Sequence, residues 1–266
     1  MEKTGIKSLE KMARLSKADL HIHTNHSDGR PSVLEVLEYV ENETDLDAIA
    51  IADHDTMDGY FEAVEIMKKK KYRFVLIPGE EVTTQQGHIL ALFIKKPIQG
   101  GLTVHHTLKR IKEQNGIRIA AHPFQHVRVR SPEYLTMDGI GLVAMLQEAK
   151  LLNGVETINA TPTLGEENLR ATFVNRTLLF KAETGSSDAH IKEAIGRGYT
   201  LYEGKSADDL KVALRHHQTQ AMHGSWTLRA LLRYAFFFIP KGFRMLFFTL
   251  LHGRAPQRLQ IINVPE

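Results

Sequence analysis

Short apolar runs alternate with amphipathic stretches along most of the chain, from Lys17 onward. The apolar runs are ADLHI, DAIAIAD, RFVLIPG, HILALFI, IRIAAH, GVETI and LLFKAETG, and the stretches between them include SVLEVLEYVEN and DGYFEAVEIMKKK. In SVLEVLEYVEN, Ser32 stands where a helix N-cap is expected, and Leu34, Leu37 and Val40 are spaced for one helix face. The alternation predicts strands and helices in turn, and therefore an α/β fold with a parallel sheet.

Polar residues cluster where these predicted strands end. In parallel α/β folds, chemistry is built at that edge because its loops can vary without disturbing the core. Six of the seven predicted strands, all except GVETI, carry such residues at one end, and these ends would meet on one rim if the strands form one barrel. The residues concerned are Asp19, His21 and His23, then Asp53, His54 and Asp55, then Glu80, His88, His122, and lastly Asp188 with His190.

The first of these clusters has the spacing of a metal-binding strand. Side chains alternate along a strand, so Asp19, His21 and His23 are expected on one face. The two imidazoles could hold one metal while Asp19 accepts the second ring N–H of a histidine. The alternative is a polar strand end with solvated histidines. Glu80 likewise admits two interpretations, a carboxylate that bridges two metals or an exposed group beside a Pro-Gly turn.

Composition narrows the chemistry. The chain has no cysteine, so any metal must be held by imidazole and carboxylate groups. The first residues, MEKTGIKSLEKMARLSK, lack the continuous apolar segment of a secretory signal, which predicts a cytoplasmic protein.

Charge divides the chain into two parts. After Asp209 the only acidic residue is Glu266, whereas residues 1–209 carry more acidic than basic residues. Two functionally different segments are therefore expected. The basic residues after Asp209 are Lys211, Arg215, Arg229, Arg233, Lys241, Arg244, Arg254 and Arg258.

The basic segment is also rich in aromatic residues, reading WTLRALLRYAFFFIPKGFRMLFFTLL from Trp226. No uncharged stretch in it approaches the ~20 residues of a membrane-spanning helix. We expect a pair of basic amphipathic helices, broken at Pro240, that lies on an anionic membrane surface through residues 225–254 at the inner membrane face. Packing against the barrel or a contact with a second subunit are the alternatives. Duplex nucleic acid is not expected as a partner, because the segment is too apolar.

The order of the polar motifs resembles that of a known family. D-L-H-I-H-T with S-D-G, then A-D-H-D, P-G-E-E with G-H-I-L, A-A-H-P and S-D-A-H look like the successive motifs of the PHP family, named for polymerase and histidinol phosphatase. The resemblance spans roughly residues 17 to 215. Ala52 departs from the pattern, since the family often has threonine before the Asp-His-Asp triplet.

The resemblance implies a distorted seven-stranded (β/α) barrel holding two or three divalent ions, with zinc, manganese and iron all suited to the mixed ligands. The implied domains are an N-terminal helical extension over 1–16, the PHP-like domain over 17–218 and the C-terminal helical appendage over 219–266. The implied ligand sets are His21, His23, Glu80 and Asp188 for the first metal, Glu80, His88 and His122 for the second, and Asp28, His54 and His190 for the third.

The function implied is a metal-dependent phosphoesterase in which a hydroxide between two metals attacks phosphorus. The third metal or a protonated Asp53 or Asp55 is expected to stabilise the departing oxygen. Arg197 is expected either to contact phosphate or to be a surface arginine in a glycine turn. The expected substrates are phosphorylated small molecules, nucleotides or short oligonucleotides. Two alternatives stay open: a catalytically degenerate barrel that serves as a metal-stabilised binding module, and an amidohydrolase-like metal enzyme acting on other bonds.

Overall fold

A computed structural model describes residues 15–126 and 138–252. Its strands are β1 (Leu15–Ile22), β2 (Ala48–Ile51), β3 (Val75–Thr83), β4 (His88–Leu92), β5 (Ile117–Ala120), β6 (Gly154–Asn159), β7 (Ala182–Ser186), β8 (Gly198–Glu203) and β9 (Gln220–His223). Its α-helices are α1 (Val33–Glu43), α2 (Asp58–Lys69), α3 (Val104–Glu113), α4 (Gly141–Gln147), α5 (Gly165–Val174), α6 (Ala207–Arg215) and α7 (Leu228–His252).

The strands form one mixed sheet in the order β7-β6-β5-β4-β3-β2-β1-β8-β9. Strands β1, β2 and β3 are parallel to one another, as are β5, β6 and β7, whereas β4, β8 and β9 run antiparallel to their neighbours. The α/β prediction is confirmed, but the expected parallel sheet is a mixed one.

The sheet curls until its two ends meet. Thr219 Oγ1, just before β9, donates to the carbonyl of Glu183 in β7 at 2.8 Å. A Cβ on Gly185 in β7 would lie 2.5 Å from the carbonyl oxygen of Tyr199 in β8, so only glycine allows this approach. The result is a distorted, nearly closed barrel, as predicted. It has nine strands among the described residues where seven were expected, because the short β8 and β9 extend the sheet beyond the alternating strand-helix pattern.

Helix α1 shows how the sequence positions a site loop. Ser32 is its N-cap, and Ser32 and Glu35 form a reciprocal capping box. The buried face consists of Val33, Val36, Leu37 and Val40. Leu37 and Val40 are buried as predicted, whereas Leu34 is exposed, because Val33 and Val36 complete the inward face in its place.

Strand β1 contains an irregularity that the sequence pattern does not reveal. Its pairing with β2 shifts register between Asp19 and Ile22. Leu20 consequently packs in the cluster that contains Ala50 and Ile119, whereas Ile22 packs in the α1 cluster with Val36. A β-bulge breaks the strict alternation of faces in this way. The expectation that Asp19 lies on the same face as His21 and His23 depends on that alternation.

The C-terminal segment forms one helix rather than two. Helix α7 continues from Leu228 to His252 with Pro240 inside it, so the predicted break at Pro240 is wrong. Proline removes one backbone donor from a helix, a cost that a long helix can tolerate. By length and composition, Leu228–Leu251 could cross a membrane.

Two strands of the sheet extend beyond the limits predicted for the PHP-like domain. β1 already begins at Leu15, inside the extension predicted for 1–16, and β9 continues the sheet beyond residue 218. Residues 1–14 of that extension and residues 253–254 of the predicted membrane surface lie outside the described residues.

Candidate metal centre

The carboxylate of Glu81 lies at the centre of a buried group of histidines. Its Oε2 is 3.0 Å from His21 Nε2, 3.3 Å from His23 Nε2 and 3.3 Å from His54 Nδ1. Its Oε1 is 2.9 Å from His122 Nε2 and 3.1 Å from His88 Nδ1. The two oxygens therefore divide five imidazoles between them, as expected of a carboxylate that bridges two cations.

Two further carboxylates extend the cluster. Asp188 Oδ1 is 3.2 Å from His23 Nε2 and 3.6 Å from His21 Nε2. Asp28 Oδ1 is 3.0 Å from His190 Nε2 and 4.0 Å from His54 Nε2. Together with Glu81, these groups form a continuous chain of alternating imidazole and carboxylate groups.

The strand ends bring these side chains together, as the sequence predicts. His54 forms an isolated parallel bridge with Glu81, and Ala189, between Asp188 and His190, forms one with Ile22. The loop after β1 carries Asp28, which is held in place partly by the bond from the Asn25 N–H to the carbonyl of Pro31 at 2.9 Å. His122 and Asp188 have positive φ angles, 26° and 50°, which turn the chain sharply after β5 and β7.

The groupings differ in detail from the implied ligand sets. Within the described residues, four groups have ligand atoms close enough to share an ion. Asp28, His54 and His190 stay together and are joined by His23, whereas His122 groups with His21 and Asp188. The other groups are His21 with His23 and Glu81, and His54 with Glu81 and His88.

Glu80, predicted to bridge the metals, does not lie among the histidines. Its Oε2 accepts the backbone N–H of Ile98 at 2.8 Å. Burial raises the pKa of Glu80 to about 8, and the charge of Asp55 adds to the rise. Adjacent residues of a strand point to opposite faces, so the choice between two neighbouring glutamates depends on the register of β3. The position predicted for Glu80 is taken by Glu81.

Glu156 belongs to the cluster although no motif in the sequence indicates it. This β6 residue is fully buried, and its Oε1 lies 3.0 Å from His21 Nδ1. Its Oε2 accepts the backbone N–H of His122 at 2.7 Å and the Asn159 amide at 3.0 Å. Glu156 thus takes the role that was expected of Asp19, because it holds the second ring nitrogen of His21. A glutamate inside the apolar run GVETI was the available signal.

Asp19 has a different role from the predicted one. Its carboxylate accepts backbone N–H groups from Ser187 at 3.0 Å and Gly196 at 2.8 Å. Burial raises the pKa of Asp19 to about 6, against the lowering effect of these hydrogen bonds. Asp19 therefore anchors the loop that carries Asp188 and His190.

Charge is concentrated in the cluster. Burial lowers the pKa of His23, but ion pairing with Asp188 and Glu81 outweighs it and raises the value to about 10. His21 and His122 also have raised pKa values, again because neighbouring carboxylates outweigh burial. For His54 burial dominates and lowers the pKa to about 3.

The carboxylates shift in the complementary direction. Burial alone would raise the pKa of Glu81, but His21, His54 and His88 hold it well below its usual range. The pKa of Asp188 is lowered in the same way, mainly by His21. The cluster is therefore held together by ion pairs between buried groups, which a divalent cation could replace.

The three predicted catalytic residues make contacts of other kinds. Asp53 accepts the N–H of Thr24 at 2.7 Å and the hydroxyl of Ser27 at 2.6 Å, which binds the loop after β1. Asp55 accepts the Thr83 N–H at 2.7 Å, and burial raises its pKa. Arg197 donates to the carbonyls of Glu193 and Ser225. These contacts give all three residues a part in positioning loops, and the catalytic roles expected of them stay predictions.

The donor set fits divalent cations. Both ring nitrogens of His23 and of His88 are buried, and although His23 Nε2 and His88 Nδ1 lie at ion-pair distance from carboxylates, none of the four makes a well-aligned hydrogen bond to the described residues. Leaving such groups unsatisfied is costly unless a cation takes the place of the missing donor or acceptor. Imidazole and carboxylate together suit zinc, manganese and iron.

Parts of the chain are similar to known proteins. Residues 165–219 match the model of the PHP-associated family. An uncharacterized protein of Methanocaldococcus jannaschii is 34% identical over 121 residues, which cover 42% of this chain and 70% of that protein. The chain belongs to the PHP family. In this PHP chain, β3 and β4 place the P-G-E-E and G-H-I-L motifs side by side. Glu81 pairs with Leu90, the last residue of G-H-I-L, whereas Glu80 pairs with Ala91 beyond that motif.

Solved structures share the fold of this PHP chain. A two-domain protein from Bacteroides vulgatus, containing a predicted PHP-like metal-dependent phosphoesterase, superposes with a TM-score of 0.61 at 20% identity. The match covers 79% of this chain but only 65% of the length of that protein. An amidohydrolase from Chromobacterium violaceum, solved with bound sulfate, has a TM-score of 0.52 at 16% identity, covering 78% of this chain and 98% of that one.

Proposed function

We propose that this PHP protein is a metal-dependent phosphoesterase acting on phosphomonoesters or small nucleotide phosphoesters. The observation that carries the proposal is the Glu81 carboxylate, whose two oxygens face five imidazoles in a fully buried group. The fold and this cluster support a metal hydrolase. Two or three divalent ions, when bound, would activate water and neutralise charge on a phosphoryl group.

The protein's own residues have separable parts in this proposal. His21, His23, His54, His88, His122, His190, Asp28, Glu81 and Asp188 would hold the ions. Glu156 fixes the ring of His21, and Asn159 Nδ2 donates to Asp188 Oδ2 at 3.1 Å. This support keeps ligand atoms oriented before any ion arrives, which lowers the cost of binding.

An amidohydrolase-like reaction is the second candidate. It is favoured by one feature of the site: Arg197, the residue expected to recognise phosphate, is engaged by backbone carbonyls. A carbonyl substrate would not need a guanidinium of that kind. The same assay distinguishes the two candidates if cyclic amides and esters are tested beside phosphoesters.

The deciding experiment is a substrate panel on protein reconstituted with zinc, manganese or iron. We expect hydrolysis of phosphoesters that disappears on chelation, because the sequence shows no serine, cysteine or lysine nucleophile motif that could carry another route. His21→Ala should lose most activity and bound metal. His216→Ala, at an exposed position after α6, is the matched control and should keep both. Full activity in rigorously metal-free protein would refute the proposal, and bound metal without any turnover would indicate a binding module.

A further inference from the structure

The outward face of α7 is apolar from Leu232 onward, beyond Arg229 in its first turn. The exposed residues include Phe236 and Phe243, with 75% and 68% of their surfaces accessible. At 100° per residue, they share one side of the helix, opposite the inward-facing Ala230 and Tyr234. An exposed stripe of this size is a sign of an interaction surface. Its remaining members are Leu232, Ile239, Leu246, Phe247 and Leu250.

Basic residues flank this stripe. Arg229 and Arg244 are exposed, and the chain has no acidic residue between Asp209 and Glu266. A second copy of the chain would place the basic margins of the two helices beside each other. An anionic lipid surface would complement both the charge and the apolar stripe.

The inward face of α7 is attached to the barrel beside the metal centre. Trp226 Nε1 donates to the carbonyl of Ala160 at 2.9 Å, and Arg233 pairs with Glu193. The ring of Phe238 lies 5.7 Å from that of His190, edge to face. The first half of α7 therefore forms part of the rim of the metal centre.

This attachment limits how α7 can meet a bilayer. If Arg233 and Phe238 stay on the barrel, only the part of α7 after Phe238 is available to span a bilayer. That part is far shorter than the roughly 20 residues that span a hydrocarbon core. A helix lying in the interface keeps every observed contact, whereas a spanning helix would break them.

We propose that α7 binds an anionic lipid bilayer by inserting its outward apolar face into the interface, which holds the rim of the metal centre at the membrane surface. This inference does not depend on the phosphoesterase proposal, because it can be tested by binding alone.

The test uses full-length protein and vesicle flotation. We expect the protein to float with vesicles of phosphatidylserine and phosphatidylcholine, and roughly tenfold less with phosphatidylcholine alone, because the exposed Arg229 and Arg244 are attracted to anionic headgroups. High salt should weaken the binding. The variant Phe236→Glu with Phe243→Glu should lose flotation. The matched control, Leu169→Glu with Phe173→Glu, changes two residues of α5 that are 73% and 67% exposed and should float like the parent chain.

Trp226 is the only tryptophan in the chain and reports the orientation. With a dansyl-labelled headgroup lipid, energy transfer from Trp226 should accompany binding in the parent and control proteins. Three results would overturn the proposal: no flotation of the parent chain, a dimer by light scattering that the Phe236 and Phe243 changes abolish without any lipid binding, or protein that resists extraction by salt and alkaline carbonate, as a spanning helix would.

Discussion

Glu81 and Glu80 are neighbours in β3 with opposite surroundings. Glu81 is surrounded by imidazoles that lower its pKa, whereas Glu80 faces the Ile98 N–H and Asp55, and burial raises its pKa to about 8. At neutral pH the first is an anion and the second a neutral acid. The roles of the two side chains can therefore be tested separately, with one conservative substitution at each position.

Glu81→Gln should lower metal content and activity at least ~100-fold, because it removes the charge that two groups of ligands share. Glu80→Gln should leave both near the parent values, because an amide resembles the protonated acid and can still accept from Ile98. Metal analysis and steady-state kinetics on both variants provide the measurement. Equal losses in the two variants would show that the assignment of roles is wrong.

Glu156 acts through His21 rather than on a cation, so its loss should be partial. Glu156→Gln should weaken metal affinity by about 10–100-fold while leaving the fold intact. Calorimetric titration with zinc gives the affinity. Glu183→Gln, which changes the exposed pair with Arg176, serves as the control and should bind zinc like the parent chain. Unchanged affinity in Glu156→Gln would mean that the ring of His21 is held by other contacts.

Among the secondary-structure elements, helix α1 begins at a capping box that can be recognised in the sequence. Ser32 accepts the Glu35 N–H, and Glu35 accepts the Ser32 N–H at 3.0 Å. Ser32→Ala should therefore lower the free energy of unfolding by about 1 kcal/mol. Thermal or urea unfolding measures the change. Ser225→Ala, at an exposed position before α7, should have little effect, and a similar loss in both would argue against capping as the cause.

The same elements show where prediction from sequence succeeds and where it fails. The strand ends that carry His21, His54, His122 and Asp188 follow from hydrophobic patterning, because each polar group interrupts an apolar run. The bulge in β1 depends on pairing with β2, and the face of Glu81 depends on pairing with β4. These are tertiary contacts between distant residues, and local patterns do not encode them. The continuity of α7 through Pro240 was missed because proline is a strong local signal for a break.

At the scale of the whole molecule, the metal centre makes stability depend on pH. The pKa of His23 is raised to about 10, so its ion pairs stabilise the metal-free fold fully below its unfolded value of about 6.5. This contribution is lost as the pH rises through 10. The lowered pKa values of Glu81 and Asp188 act in the opposite direction, stabilising the fold above about pH 4.5 and less as the pH falls.

The melting temperature of the metal-free protein should therefore fall progressively from about pH 6.5 toward pH 9, the range over which the raised pKa values of His21, His23 and His122 act. Below about pH 6.5 the lowered pKa of His54 acts in the opposite direction, because the unfolded chain protonates this histidine and the fold does not. Zinc should reverse the alkaline decrease, because bound cations replace the protons between the carboxylates and imidazoles. Calorimetry with and without zinc across this range makes the test. A melting temperature that rises toward pH 9 without metal would contradict the assigned ion pairs.

The backbone at His122 and Asp188 has a consequence for how this chain can change over evolutionary time. Both residues have positive φ angles, a conformation that costs a side-chain-bearing residue on the order of 1–3 kcal/mol and glycine almost nothing. Glycine at either place would relieve strain and remove a ligand in a single step. At these two positions, substitutions that raise the stability of the fold are therefore opposed by selection for an intact metal centre. A descendant freed from its reaction would be expected to lose the centre there first.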